Sequence, residues 1–138
     1  MTAEEKVLEK IRKVLVADTT LKGYVCARVY ASHISSIDEP KYPAISMHMF
    51  PSAEDFSASD YIRMIVQLDI WAHGTTHTQS DMYAMLERLR ALLHRTNLND
   101  TTIGLVVAES IEIPGSPLLR DPETDLLHLP TRYRVVAK

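Results

Sequence analysis

The sequence predicts a single α+β domain spanning residues 1–138, with an antiparallel (mixed) β-sheet of four to five strands and two α-helices packed on one face. Three observations carry this expectation. Residues 61–72, YIRMIVQLDIWA, place an apolar side chain at every second position: Ile62, Met64, Val66, Leu68 and Ile70. That period of two is the pattern of a strand with one face in a core. Two other segments, near residues 2–18 and 80–97, carry apolar residues at spacings of three and four, the pattern of helices with one buried stripe. The remaining apolar runs are short and bounded by Pro, Gly, Asn or Asp, as strands are.

Taken in order, Thr2 and Glu5 form a capping-box pair, and Val7, Ile11, Val14 and Leu15 form the stripe of a helix ending near Asp18. Residues 19–23 read as a short turn with Leu21 inward and Gly23 as a breaker. Residues 25–31, VCARVYA, read as a strand, and 32–41 as a polar loop. Pro43 opens a second strand over 44–50, with Ile45, Met47 and Met49 on one face and Ser46 and His48 on the other. Residues 51–60, PSAEDFSASD, read as an exposed acidic connection into the central strand. Ser80 and Asp81 start the second helix, whose stripe is Met82, Met85, Leu86, Leu89, Leu92 and Leu93. Residues 103–113 read as a strand buried on both faces, with a bulge near 108–110. Residues 114–125 read as a proline-rich linker. Residues 127–136 form the closing strand, and Pro130 within it predicts an edge position or a bulge.

Composition narrows the functional classes. Apolar residues make up 46% of the chain, as in a globular protein. The formal charge of -3 argues against a dedicated nucleic-acid binder. A single cysteine, Cys26, allows no internal disulfide, which fits a reducing cytoplasm. The charged N-terminal stretch has no secretory pattern, and no apolar run approaches the ~20 residues of a membrane span. The expected protein is soluble and makes no use of a membrane.

No constellation in the sequence carries strong chemistry. His73 and His77 are four apart, but Gly74 and two threonines place them in a loop with no third ligand in view. Cys26 reads as a small buried hydrophobe. Glu54 and Asp55, and Asp121, Glu123 and Asp125, lie in acidic loops that hold an acid–base pair poorly, and residues 121–125 lack the glycine-bearing oxygen spacing that calcium takes. Neither a catalytic residue, a metal nor a cofactor is expected. Trp71 stands at the exit of the central strand on its less apolar face, with Tyr61 and Ile65. A tryptophan there is covered either by a loop or by a neighbouring subunit. Arg132 and Arg134 alternate with Tyr133 and Val135 and read as a solvated or inter-subunit face.

An ordered set of short motifs resembles the tail-completion or tail-terminator proteins, the head–tail connection (neck) parts of long-tailed phages and prophages. The set comprises the N-terminal helix leading into Leu21, Arg28-Val29-Tyr30, and Tyr42-Pro43-Ala44-Ile45. It continues with the acidic stretch 52–57, Leu68-Asp69-Ile70-Trp71-Ala72, Asp121-Pro122-Glu123-Thr124, and Tyr133-Arg134-Val135. Members of that family often carry glycine just before the Arg-Val-Tyr triplet, where this chain has Cys26-Ala27.

The resemblance implies a non-enzymatic subunit of a homo-oligomer, typically a six-membered ring. The ring caps the head-proximal end of the tail tube, stops tube polymerisation and presents a surface to the head connector. Its partners are the tail tube protein and the connector or stopper protein, and DNA passes through the hole without specific binding. It assembles in the host cytoplasm and resides in the virion neck. Under this reading Tyr61, Ile65, Trp71, Arg132 and Arg134 face neighbouring subunits. Glu54, Asp55 and Phe56, with Leu118, Leu119 and Arg120, belong to loops that meet tail or connector. Two alternatives stand beside it: another neck ring protein, of the head-completion or stopper kind, and a small dimeric α+β enzyme or ligand-binding protein with a pocket between sheet and helices near His48, His73 and His77.

Overall fold

A computed structural model describes residues 1–31, 37, 39–55, 60–115 and 117–138, with side chains included except at 51–55. The elements in order are α1 (Ala3–Ala17), α2 (Thr19–Val25), β1 (Val29–Tyr30), β2 (Ala44–Asp55), β3 (Ile62–His73), α3 (Gln79–Leu93), β4 (Val107–Ile113), β5 (Leu119–Arg120) and β6 (Leu126–Ala137). The sheet has six strands in the order β1-β2-β3-β6-β4, with β5 pairing β6 beside β4. Among the described residues only the β1–β2 pair is parallel, so the sheet is mixed. The α+β class holds, with one more helix and one more strand than expected.

The extra helix has a local cause. Asp18 ends α1 as its C-cap and begins α2 as its N-cap, its carboxylate accepting from the Leu21 amide at 3.0 Å. The same carboxylate receives Arg88 of α3 in a forked pair, 2.6 Å at its shortest. One side chain therefore joins all three helices, and Arg88 holds the Asp18 carboxyl below its usual range. Gly23 is accommodated inside α2 rather than breaking it, and Leu21 is fully buried as expected.

The expected strand over 25–31 is reduced to two residues. Val25 closes α2, and Cys26, its C-cap, turns the chain with φ 54° and ψ -119°. Cys26 is exposed, which corrects its reading as a buried hydrophobe. Arg28 then does the joining. Its Nε donates to the Pro43 carbonyl at 2.8 Å and its Nη2 to the Tyr24 carbonyl at 3.3 Å, so the end of α2 is tied to the entry of β2. Arg12 of α1 donates to the Val29 carbonyl at 3.1 Å. The Tyr42–Pro43 peptide is cis.

β3 is central, and its parity governs the sheet. Met64, Val66, Leu68, Ile70 and Ala72 are fully buried, opposite Met47 and Ile45 of β2 and Leu127, Leu129, Tyr133 and Val135 of β6. Val7, Ile11 and Leu15 of α1 and Met82, Met85, Leu89 and Leu93 of α3 close over them. Each such side chain contributes about 1.5–3 kcal/mol through its removal from water. The helices thus lie on one face.

Five further differences follow from tertiary context. β2 runs on to Asp55 through a register shift between Pro51 and Asp55, into the stretch expected to be a connection. α3 is capped by Thr78 with Asp81 in a capping box, two residues earlier than Ser80. β4 is an edge strand rather than one buried on both faces: residues 101–104 form a turn, Gly104 has φ 63°, and Val106 is exposed. The expected irregularity is present between Val107 and Glu109. β6 is interior rather than an edge, but on its outer side Pro130 falls between the end of β5 pairing, at His128, and the start of β4 pairing, at Arg132. Proline, with no N–H to offer, sits where the strand is locally an edge. The expected linker 114–125 contains β5. Its turn packs on Gly74, whose amide donates to the Asp125 carbonyl at 2.8 Å; a Cβ there would stand 2.7 Å from the Asp125 carboxylate. Most of the expected loop 32–41 lies outside the described residues.

Two predictions follow. Replacing Asp18 with Ala removes a cap and the ion pair, and should lower unfolding free energy by about 1–2 kcal/mol, read as a lower urea midpoint with unchanged slope. Replacing Cys26 with Gly relieves a positive φ at an exposed position and should raise stability by about 1 kcal/mol. A lower melting temperature for Cys26→Gly would contradict that account.

Candidate interface on the open sheet face

The face of the sheet away from the helices is built in rows across the strands. One row runs Phe50, Ile65, Arg134, Ile111; the next His48, Gln67, Arg132, Ile113; then Ser46, Asp69, Pro130; then Ala44, Trp71, His128, Leu119. The first row is apolar apart from one arginine, and Phe50 is 40% exposed. The last row carries Trp71 and Leu119, the latter 49% exposed. Between them lies a polar band organised on one acid.

That acid is Asp69, only 1% exposed although it faces away from the helices. Its carboxylate accepts from His128 Nε2 at 2.7 Å and from Gln67 Nε2 at 2.9 Å, and His48 Nδ1 lies 3.4 Å away. Burial works to raise its pKa, but the hydrogen bonds from His128 and Gln67 and the two imidazoles outweigh it, so the carboxyl titrates below its ordinary value. Trp71 stacks flat on His128, with ring centres 3.8 Å apart, and its Nε1 donates to the Ser46 hydroxyl at 2.9 Å. The indole is thus held by Ser46 and His128 of the same chain, and Trp71 as a whole is half-buried.

Arg132 is arranged by the neighbouring row. Its Nε donates to Gln67 Oε1 at 3.0 Å and its guanidinium lies over the Phe50 ring, 5.3 Å from the centre. Arg134 donates to Glu109 at 2.9 Å. Where β5 and β4 fail to meet along β6, the surface opens into a cleft of about 340 Å³ lined by Gln67, Ile113, Pro114, Gly115, Pro117, His128, Pro130 and Arg132.

The expected site residues therefore divide. Ile65, Trp71, Arg132 and Arg134 share the open face, as their parity requires. Tyr61 precedes β3 and has the Lys138 ammonium over its ring at 4.9 Å. Leu119 is exposed on the last row, Arg120 pairs with Asp125, and Leu118 packs partly buried against the core. The side chains of Glu54 and Asp55, and all of Phe56, lie outside the described residues. His48, His73 and His77 are not brought together: His48 pairs in register with Gln67, His73 ends β3 with its ring edge-on to Tyr42, and His77 sits in the following turn beside Thr76. The cleft lies on the open face, whereas the enzyme or ligand-binding alternative placed its pocket between sheet and helices.

Sequence reasoning passed over Asp69, His48 and His128 as a unit. Parity put Ser46, His48 and Asp69 on the outward face, but the register that joins them across β2, β3 and β6 is a property of the fold.

The lowered pKa of Asp69 sets a sign. Its charged form is favoured by folding, so its contribution is complete above about pH 4, the unfolded value, and is lost as pH falls through the lower folded value. The stability gap between the wild type and Asp69→Asn, measured by urea unfolding, should narrow from pH 5 to pH 3. A gap independent of pH would show that the charge is not what stabilises this face.

No family model matches the sequence, and no curated protein matches it. Among solved structures, a chain of the virion of a native gene transfer agent particle has the same fold, with a TM-score of 0.76 at 11% identity. The superposition covers 99% of this chain and 97% of that one, so the likeness is of whole fold to whole fold.

Proposed function

We propose that this chain is a virion structural protein, and more narrowly a tail terminator of a phage or prophage. It forms a ring on the head-proximal end of the tail tube, stops tube growth and offers a surface for joining the head. The full-length likeness to a chain of a gene transfer agent virion carries this reading. The open sheet face supports it: a half-apolar surface without helices over it suits a subunit that is covered by other subunits. In this reading Tyr61, Ile65, Trp71, Arg132 and Arg134 belong to contacts between copies. The segments bearing Glu54, Asp55 and Phe56, and Leu118, Leu119 and Arg120, meet the tail tube or the connector. The role is non-enzymatic, and DNA passes through the ring without specific binding, as a net acidic chain permits.

Absolute mass by light scattering, with negative-stain images of the same peak, tests the ring. The expected result is a closed ring with a central hole, or a monomer that caps purified tail tubes when they are added. A compact dimer without a hole that leaves tube ends bare would overturn the reading. Ile65→Glu places a charge on a half-buried surface position of the open face. It should leave the melting temperature within a few degrees and abolish assembly.

A further inference from the structure

Arg132 is an arginine held ready for a carboxylate that none of the described residues supplies. Its guanidinium is placed by Gln67 on one side and by the Phe50 ring beneath, and among the described residues no acid pairs with it. Arg134, two residues on, differs in having Glu109. A planar guanidinium positioned in this way keeps its outer N–H groups for a forked contact to a carboxylate. It stands at the mouth of the cleft between β5 and β4, whose walls are Ile113, Pro114, Pro117 and Pro130. The site is thus a cation within a recess whose apolar walls stand beside Gln67 and His128.

The chain presents such a turn elsewhere. Between β5 and β6, residues 121–125 are a tight reversal, closed by the Asp125 amide donating to the Asp121 carbonyl at 2.9 Å. Two of its three acids are occupied: Asp121 accepts from the Glu123 amide at 2.9 Å, and Asp125 pairs with Arg120. Glu123 is exposed, and its carboxylate has no partner among the described residues. Within one molecule the two cannot meet. Arg132 stands about 23 Å along β6 from Asp125 at the usual rise of about 3.3 Å per residue. A protrusion and a recess at separate places on one subunit are what a head-to-tail, ring-closing contact requires.

We propose that the 121–125 turn of one copy enters the cleft of the next, with Glu123 pairing to Arg132 across the contact. This rests on the ring reading above, names the residues that close it, and gives the 121–125 turn to the contact between copies rather than to the tail tube or the connector.

The test is a charge swap followed by light scattering on the full chain. Arg132→Glu and Glu123→Arg should each weaken assembly at least about tenfold, and the double variant should restore most of it. Glu123 lies on an exposed turn, so its variant should fold; melting curves check Arg132→Glu, and Arg132→Gln serves if that one unfolds. A wild-type ring that the single variants leave intact, or that the double variant does not rescue, overturns the pairing and leaves the ring reading standing. A wild type that neither assembles nor caps tail tubes overturns both.

Discussion

β3 is hydrogen-bonded along both sides, to β2 from Ile62 to Trp71 and to β6 from Ile62 to His73, so its period of two dictates which side chains of the neighbouring strands meet the helices. A shift of one residue in any of these pairings would carry Met64, Val66, Leu68 and Ile70 into water and Arg63, Gln67 and Asp69 into the core. The core therefore depends on this register, and so does the character of the opposite face. The residues that β3 turns away from the helices are what the rest of the molecule must satisfy by other means.

The helix layer is held to that register by a few polar anchors. Asp18 links α1, α2 and α3 through two caps and one forked ion pair. Arg28 joins α2 to β2, and Ser110 of β4 donates to the Leu93 carbonyl at the end of α3. Lys10 and Lys13 of α1 reach Asp100, whose carboxyl is pushed down to about 2, chiefly by the Thr102 hydroxyl. The ion pairs among these contacts are partly solvated, and each adds modestly. Together they orient helices whose burial supplies most of the free energy.

The open face reaches satisfaction in a different manner. A buried carboxylate outside the core is tolerated because two imidazoles and an amide surround it, and because Trp71 lies flat over one of those imidazoles. The result is a rigid, half-apolar platform with Phe50 and Leu119 exposed at opposite rows. Such a platform suits association: its polar groups are already oriented, so little side-chain order is lost when a partner covers it.

Much of this was legible in the residues. The alternation of 61–72 determined the central strand and both of its faces, the spacing of Val7, Ile11 and Leu15 and of Met82 to Leu93 determined the two long helices, and the Thr2–Glu5 pair determined where the first begins. Parity also put Ile65, Trp71, Arg132 and Arg134 on one surface. Tertiary structure decided the rest, for identifiable reasons. Thr19 to Val25 became helix where local signals read as turn and strand: Asp18 caps it at the Leu21 amide, and the Arg88 pair ties that cap to α3. Pro130 is accepted inside the sheet because β4 and β5 leave a gap at that point, a fact about strand ends that no local pattern encodes. Ser46, His48, Asp69 and His128 are separated by up to 82 positions. Only the pairing of β2, β3 and β6 brings them into one network, and only the same pairing places Arg132 at the mouth of a cleft.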